Sequence, residues 1–163
     1  MASHVFHEVY LHLTWHTKDD APLLIPTLEP IVHNVLTNRC HQTKGVYLHA
    51  INGTPTHVHV AVNIEPQVTI SDLVGELKGF SSHEVNHQMR MKRLEWQRGF
   101  GVVSFGKRQL PWVQNYIARQ KEHYATGRVQ ARLERVSFDD DGIELNSSTR
   151  AGSRLKPAGM GSA

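Results

Sequence analysis

The sequence predicts an α+β fold, in which a ferredoxin-like βαββαβ unit builds a four-stranded antiparallel sheet and one further helix is added at its C-terminal end. Three observations lead to this prediction. Three segments alternate apolar and polar residues with the period of two typical of strands, and a fourth is a short apolar run. Three other segments repeat apolar residues at helical spacing. Their order along the chain is β-α-β-β-α-β-α, and the first six elements match the split βαβ arrangement.

The first half of the chain supplies a strand, a helix and a hairpin. Apolar side chains hold the odd positions over residues 5–15 except at His7, which predicts a strand with one buried face. Apolar spacing predicts a helix over residues 28–42, with Pro30 in the first turn, where proline is tolerated. Residues 46–52 and 57–64 alternate as strands, and the Gly-Thr-Pro-Thr segment between them is typical of an antiparallel hairpin turn.

The second half supplies a helix, a strand and the added helix. Ser71 is the predicted N-cap of a helix that runs toward Val85. Two glycines then precede a short apolar run over residues 102–105, which predicts the fourth strand. Pro111 starts the last helix, which we expect to extend to Tyr124.

Length and composition limit the class of protein. The 163 residues fit one domain, predicted over residues 1–127, followed over residues 128–163 by a basic and then flexible tail. The single cysteine excludes an internal disulfide, and no run of residues is apolar enough for a membrane span. We therefore expect a cytoplasmic protein with no membrane partner. The net charge of +3 is too small to indicate a nucleic-acid partner by itself.

The third predicted strand carries the most informative local pattern. Because successive strand side chains point to opposite faces, the valines at positions 58, 60 and 62 share one face, and His57 and His59 share the other. With the valines in the core beneath the helices, we expect the two histidines on the open face of the sheet. Two imidazoles so placed can coordinate one cation. In a chain with 12 histidines, chance is the alternative explanation.

The last predicted helix carries a second pair of candidate residues. Tyr116 and Gln120 are four positions apart, so they lie one turn apart on the same helix face and can reach a common partner. The alternative is that Tyr116 packs in an apolar stripe with Trp112 and that Gln120 faces solvent. The spacing alone leaves both interpretations open.

Two stretches of the chain are rich in basic residues. We interpret them as candidates for contacts with nucleic-acid phosphates, and a solvated surface is the alternative. The candidate residues are Arg90, Lys92, Arg93, Arg98, Lys107 and Arg108.

Five segments, in their order and spacing, resemble a known family. They are YLHLTWHTK from Tyr10, THVHVAV from Thr56, ISDLVGELKGFSS from Ile70, WQRGFG from Trp96 and YIARQKEHY from Tyr116. Over about residues 9–124 the chain resembles the HUH single-tyrosine transposases, which move insertion sequences as single-stranded DNA. It is similar in the same way to their relatives, the REP-associated tyrosine transposases.

The resemblance implies a role for each candidate residue. His57 and His59 would be the two HUH metal ligands, and Gln120 would be the third ligand of a Mg²⁺ or Mn²⁺ ion. Tyr116 would be the nucleophile. The implied activity is cleavage and strand transfer of single-stranded DNA at hairpins through a 5′-phosphotyrosine, by a homodimer that needs no nucleotide cofactor.

The chain departs from the family pattern at three places. Thr56 stands where an Asp or Asn often precedes the first histidine of the pair. A His-His pair commonly ends the catalytic helix motif, and this chain has His123-Tyr124 there, so His123 is given no catalytic role. The chain also continues well beyond this helix, whereas minimal family members end soon after it.

Other classes fit the sequence less well. Two-tyrosine replication initiators need tyrosines about one turn apart, but Tyr116 and Tyr124 are eight residues apart. Relaxases usually carry a third histidine in their HUH motif. The 2H phosphoesterases need two His-x-Thr/Ser motifs; residues 12–14 supply one, but His59 stands where the second would need Thr or Ser. A non-enzymatic RNA-binding sheet would not require Tyr116 and Gln120 in register. The alternative that stays open is a domesticated endonuclease or binding protein specific for hairpins at chromosomal repeats.

Overall fold

The fold is described here for residues 4–136 of a computed structural model. The strands within these residues are β1 (Val9–His16), β2 (Val46–Thr54), β3 (His57–Ile64) and β4 (Gly101–Phe105). They form one antiparallel sheet in the order β2-β3-β1-β4, as expected of a ferredoxin-like unit. The helices are α1 (Glu29–Gln42), α2 (Ile70–Met89), α3 (Leu110–Ala118), α4 (Gln120–Thr126) and α5 (Ala131–Glu134). The predicted α+β fold is confirmed.

One face of the sheet packs against α1 and α2. The even-numbered side chains of β3, including Val58 and Val62, join Leu36 of α1 and Leu77 of α2 in a single apolar core. A fully buried aliphatic side chain contributes about 1.5–3 kcal/mol of hydrophobic stabilisation, so this face fixes the sheet and its register. The register in turn fixes which β3 side chains point away from the core.

The other face of the sheet is covered, which corrects the expectation of an open face for the histidines. Val113 and Ile117 of α3 pack on Ala61, the small β3 residue that follows His59 on this face. The short helix α5 lies against β1 and β4. His57 is 4% exposed and His59 is 0% exposed as a result. The prediction was wrong because strand alternation shows where a side chain points and not what packs over it.

Several predicted boundaries move. β1 begins at Val9 rather than at residue 5, because Val9 is the first residue that pairs with β3. Ser71 lies inside α2, which begins at Ile70 with Thr69 as N-cap, so the predicted cap is wrong. The last helix is two helices, because Arg119 has φ −99° and ψ 19° and interrupts the helical backbone between α3 and α4.

Part of the predicted tail belongs to the described structure. Leu133 and Val136 are 6% and 2% exposed, so the segment around α5 is packed onto the rest of the molecule. The acidic run at 139–141 and the Gly/Ser-rich segment 147–163 lie outside the described residues. Among residues 4–136 there is no helix of the length and apolar character that a membrane span requires.

Candidate functional site

The two β3 histidines form one wall of the site. Their imidazole centroids are 5.0 Å apart, and each Nε2 atom lies 3.2 Å from the same oxygen, Oε2 of Glu134. The alternation of β3 places them side by side, and the antiparallel neighbours β1 and β2 hold the strand on both edges. His57 and His59 therefore point to one common position.

The phenol and the carboxamide form the opposite wall. The Tyr116 hydroxyl donates a hydrogen bond of 2.6 Å to Oε1 of Glu134, and Nε2 of Gln120 donates one of 2.9 Å to the same oxygen. Tyr116 ends up with its ring 6.2 Å from that of His59, centroid to centroid. The four residues singled out in the sequence thus converge within one chain, although Arg119 breaks the helix between Tyr116 and Gln120.

Glu134 is the residue that sequence reasoning missed. It is the last residue of α5, a helix of four residues, which is too short to show a periodic pattern. A signal in the sequence was available in Leu133 and Val136, two apolar residues three positions apart in a stretch rich in arginine. Both are buried, and they anchor the segment that carries the carboxylate into the site.

Each histidine is oriented by a hydrogen bond at its other nitrogen. Nδ1 of His57 lies 3.0 Å from the hydroxyls of both Thr54 and Thr56. Nδ1 of His59 lies 2.8 Å from Nε2 of His12, a buried histidine on β1. A partner at Nδ1 fixes the ring and leaves Nε2 facing the site, as in protein metal centres. Thr56, which departs from the family pattern, therefore still contacts the first histidine.

Burial and neighbours set the charges in the site. Burial raises the pKa of Tyr116, and its hydrogen bond to Glu134 raises that pKa further, so the phenol is neutral. Burial lowers the pKa of His59, which favours its neutral form. Burial alone would raise the pKa of Glu134, but contacts with His57 and His59 outweigh it and lower that pKa. A carboxylate thus lies beside a neutral phenol.

The donor set fits a divalent cation. Nε2 of His57, Nε2 of His59 and Oε1 of Gln120 are buried and have no hydrogen bond of good geometry among the described residues. Buried polar atoms without partners are rare and call for an explanation, and three of them line this one site. Candidate ligand atoms of His57, His59 and Glu134 lie within 4.8 Å of one another. Mg²⁺ prefers oxygen ligands, so the two imidazole nitrogens make Mn²⁺ the better match of the two ions.

Cation binding is expected to stabilise the fold. Mn²⁺ at 100 times its dissociation constant should add about 2.7 kcal/mol, a rise in melting temperature on the order of 10 °C for a domain of this size. Differential scanning calorimetry with and without Mn²⁺ measures the rise. His59→Ala should remove it, and His83→Ala, at an exposed histidine of α2, should retain it. An equal rise in all three proteins would contradict this site.

Acid is expected to destabilise the metal-free protein. Burial, the largest effect, lowers the pKa of His12 to about 3, so His12 stays neutral when folded and binds a proton when unfolded. As pH falls below 6.5, the ordinary pKa of histidine, the unfolded state gains protons and the unfolding free energy decreases. The slope is about 1.4 kcal/mol per pH unit for each such histidine.

This acid effect can be assigned to His12 by substitution. Urea titrations in EDTA between pH 6.5 and 4.5, the ordinary pKa values of histidine and Glu134, measure the slope. In this window the lowered pKa of Glu134 adds little, because its loss of stability lies at lower pH. His12→Asn should reduce the slope by about one histidine's share. An unchanged slope would rule out His12 as the source.

The six basic candidates are exposed but do not form one cluster. Lys92 and Arg98 line a cavity of about 640 Å³ along α2, where Lys92 also lies 3.3 Å from Glu95. Arg90 and Arg93 lie between the end of α2 and β4. Lys107 and Arg108 form a 3-10 turn directly before α3, and Arg108 lines a separate cavity that also contains Trp112.

Solvent reaches the site through a third cavity. Its volume is about 320 Å³, and its lining includes His57, Tyr124 and Glu134. Tyr124 is 53% exposed. His123, which was given no catalytic role, stacks on the Tyr116 ring at 4.7 Å between centroids. The site is therefore open on the His57 side and closed by α5 over Tyr116.

Comparisons with known proteins agree with this architecture. The chain is similar to a Deinococcus radiodurans R1 protein assigned as a transposase, at 23% identity and a TM-score of 0.58, over 74% of this chain and 96% of that one. It is also similar to a REP-associated tyrosine transposase solved with a REP hairpin, at 16% identity and a TM-score of 0.53, over 79% of this chain and 76% of that one. Curated protein sequences give no significant match.

The family is settled by the sequence model. The model of the IS200-like transposases matches residues 5–120, which is well over half of the chain. The matched range contains the histidine pair, Tyr116 and Gln120, and it ends before the segment that carries Glu134. The resemblance found in the sequence is confirmed, and the chain belongs to the IS200-like transposase family.

Proposed function

We propose that this transposase cleaves and rejoins single-stranded DNA at hairpins, with Tyr116 as the nucleophile and with a divalent cation held by His57, His59 and Gln120. The observation that carries the proposal is the convergence of four side chains on one carboxylate. Tyr116, Gln120, His57 and His59 all lie within 3.2 Å of an oxygen of Glu134. A phosphate group has the charge and the acceptor oxygens to use the same partners.

The proposed reaction starts at the phenol oxygen and has the outcome that the family resemblance implies. Tyr116 Oη attacks the phosphorus of a phosphodiester, and the bond from phosphorus to the 3′-oxygen breaks. The proton lost by the phenol is balanced by the proton gained by the 3′-hydroxyl, and a 5′-phosphotyrosine remains. In the reverse step a 3′-hydroxyl attacks this phosphotyrosine, so no nucleotide cofactor is needed. The buried and neutral phenol explains why the nucleophile needs activation.

The residues around Tyr116 would prepare the phosphate for attack. His57 and His59, oriented through their Nδ1 atoms, would hold the cation, and Gln120 would complete the set through its unpartnered Oε1. The cation, when bound, would offset the charge on the phosphate oxygens and orient the phosphate for in-line displacement. Neutral ligands leave most of that positive charge available to an anionic substrate.

The proposed substrate is single-stranded DNA that carries a hairpin. The solved REP-associated relative binds a REP hairpin, and this supports a hairpin as the partner here. The exposed Arg90, Lys92, Arg93 and Arg98 would contact phosphates of the hairpin stem, and Lys107 and Arg108 would contact the strand near Tyr116. Such a substrate would place the protein with the genome, in the cytoplasm.

The same relative favours one alternative function. A domesticated protein that cuts or only binds hairpins at chromosomal repeats would have the same site and the same partner. A protein that only binds would form no covalent product. A cleavage assay therefore distinguishes a protein that only binds hairpins from a transposase or a domesticated endonuclease, both of which would cleave them.

A homodimer is part of the proposal. Family resemblance implies that two copies join through their sheets, and β2 and β4 are the edge strands available for that contact. In a single chain Tyr116 already lies beside its own His59, so catalysis would not depend on exchange of helices. Light scattering at several concentrations would give the mass of the particle, and a monomer at all of them would refute the dimer.

One assay tests the function directly. The full chain is incubated with Mn²⁺ and a pool of end-labelled single-stranded hairpin oligonucleotides, and the products are separated on a denaturing gel. We expect a labelled band at the mass of a protein–DNA adduct, lost when EDTA replaces Mn²⁺. Binding without an adduct would support the binding alternative. The absence of both binding and adduct would refute the proposal.

A further inference from the structure

The cavity that Arg108 and Trp112 line lies beside Tyr116, and of its lining residues only Arg108 has a role in the function proposed so far. Its volume is about 480 Å³, and its lining includes Phe105, Arg108, Trp112, Gln130 and Arg132. This volume falls within the range of about 300–1,000 Å³ usual for ligand pockets. It is formed by β4, the 3-10 turn before α3, α3 itself and the segment at the start of α5.

Two contacts connect this cavity to Tyr116. The indole of Trp112 stacks on the Tyr116 ring, with centroids 5.6 Å apart and planes inclined by 14°. The backbone N–H of Gln130 donates a hydrogen bond of 3.0 Å to the Tyr116 hydroxyl. One wall of the cavity therefore touches the ring of the nucleophile, and another wall touches its oxygen.

Trp112 is exposed although its helix has an apolar face to bury. The side chains that α3 buries are Val113, Tyr116 and Ile117, whereas Trp112 is 52% exposed, against the packing role that helical spacing suggested. Its contact with Tyr116 covers only part of the indole, and the rest lies at the cavity. Exposed aromatic rings in a basic groove are the usual platform on which unpaired bases stack.

The charge of the cavity points to the same class of ligand. Arg108 and Arg132 line it, and its lining residues include no Asp or Glu. Arg132 is held in place by a hydrogen bond of 3.0 Å to the carbonyl oxygen of Ser104 on β4. Positive charge next to an aromatic surface is complementary to the phosphates and bases of a single strand.

We propose that this cavity is a nucleobase subsite, in which Trp112 stacks on an unpaired base next to the scissile phosphate and Arg108 and Arg132 contact the flanking phosphates. This inference rests on the proposed function, because it takes as ligand the strand that Tyr116 attacks. It adds a reason for the preference for single strands, since a base paired in a duplex cannot stack on a side chain.

Tryptophan fluorescence tests the stacking directly. The chain has three tryptophans, of which Trp15 and Trp96 are 0% and 8% exposed, so a change caused by a ligand reports mainly on Trp112. The full chain is titrated in EDTA, where no cleavage occurs, with oligo(dT) and with a blunt DNA duplex of the same total length. We expect oligo(dT) to quench the fluorescence and the duplex to leave it nearly unchanged. Equal quenching by both would overturn the subsite.

Substitutions measure the contribution of the indole to affinity. Trp112→Ala should weaken binding of labelled oligo(dT) by about 5- to 150-fold, the range measured for loss of one stacked base. Trp112→Phe should keep most of the affinity while losing the fluorescence change. The matched control is Tyr47→Ala, because Tyr47 is 50% exposed on β2 and does not line this cavity. If Trp112→Ala binds as tightly as Tyr47→Ala, the proposal is wrong.

Failure of the subsite and failure of the proposed function give different results. Quenching by oligo(dT) without any adduct in the Mn²⁺ assay would contradict the role of Tyr116 as nucleophile and would still support the nucleobase subsite. An adduct formed normally by Trp112→Ala, with unchanged oligo(dT) affinity, would refute the subsite alone. Because Trp112 is half exposed, melting curves of its variants should match the wild type and exclude misfolding as the cause.

Discussion

Tyr116→Phe is expected to form no covalent adduct with hairpin DNA in Mn²⁺, a fall of at least about 10³-fold in the amount of adduct. The substitution removes one oxygen atom and keeps the ring between Trp112 and His123, on which it stacks at 5.6 and 4.7 Å. The ring packing should hold the fold, at a cost of about 1.5–3 kcal/mol for the lost hydrogen bond to the Glu134 carboxylate and about 1 kcal/mol for the lost bond from the Gln130 N–H. Labelled DNA on a denaturing gel gives the measurement.

The loss of adduct can be assigned to the missing hydroxyl only if Tyr116→Phe still binds the hairpin. Tyr116→Phe should bind the hairpin pool with an affinity within a few-fold of the wild type, measured by fluorescence anisotropy. Tyr124→Phe is the matched control, because its ring lies 6.0 Å from that of His57 but its side chain is 53% exposed. That control should form the adduct at the wild-type level. An adduct that persists in Tyr116→Phe would remove Tyr116 from the reaction.

The parts of this molecule that sequence predicts well are those set by local geometry. Alternation along β3 is a property of any strand, so the shared face of His57 and His59 could be read from spacing alone. Tyr116 and Gln120 still face one partner although Arg119 interrupts the helix, because the interruption is only one residue long. Element order was sufficient for the topology of the sheet.

The parts that sequence did not predict depend on contacts between distant segments. The histidine face was expected to be open. It is buried because Val113 and Ile117 of α3, about 50 residues later in the chain, pack on Ala61. Helical spacing placed Trp112 in the packed apolar stripe of α3. The face of α3 that packs inward carries Val113, Tyr116 and Ile117, and Trp112 is left half exposed beside it. The local sequence of a helix does not determine by itself which of its side chains the sheet will bury.

Glu134→Ala is expected to change two measured quantities in opposite directions. The carboxylate lies within 3.2 Å of the two imidazoles and accepts hydrogen bonds from Tyr116 and Gln120, which is the position that a substrate phosphate would take in the proposed reaction. In the absence of DNA it would be an anionic ligand for the cation, so its loss should weaken Mn²⁺ binding by about 10-fold or more, measured by calorimetry.

At saturating Mn²⁺ the same substitution should accelerate adduct formation. In the proposed reaction Glu134 occupies the position of the phosphate and would have to leave before a phosphate enters, so only the fraction of molecules with this residue displaced would be competent. Loss of two hydrogen bonds to a charged group, each about 1.5 kcal/mol, should raise that fraction by about 100-fold. Glu122→Ala, at an exposed acid of α4, is the charge-matched control and should change neither quantity.

Gly101→Ala tests the same mechanism from a distance. A methyl group on Gly101 of β4 would overlap the carbonyl oxygen of Arg135, so the segment that carries Glu134 must shift while its carboxylate stays chemically intact. Adduct formation at saturating Mn²⁺ should rise as in Glu134→Ala, because the carboxylate is displaced in both. If Glu134 were needed for catalysis itself, both substitutions would slow the reaction at every Mn²⁺ concentration. The sign of the effect on rate therefore distinguishes a carboxylate that competes with the phosphate from one that takes part in the chemistry.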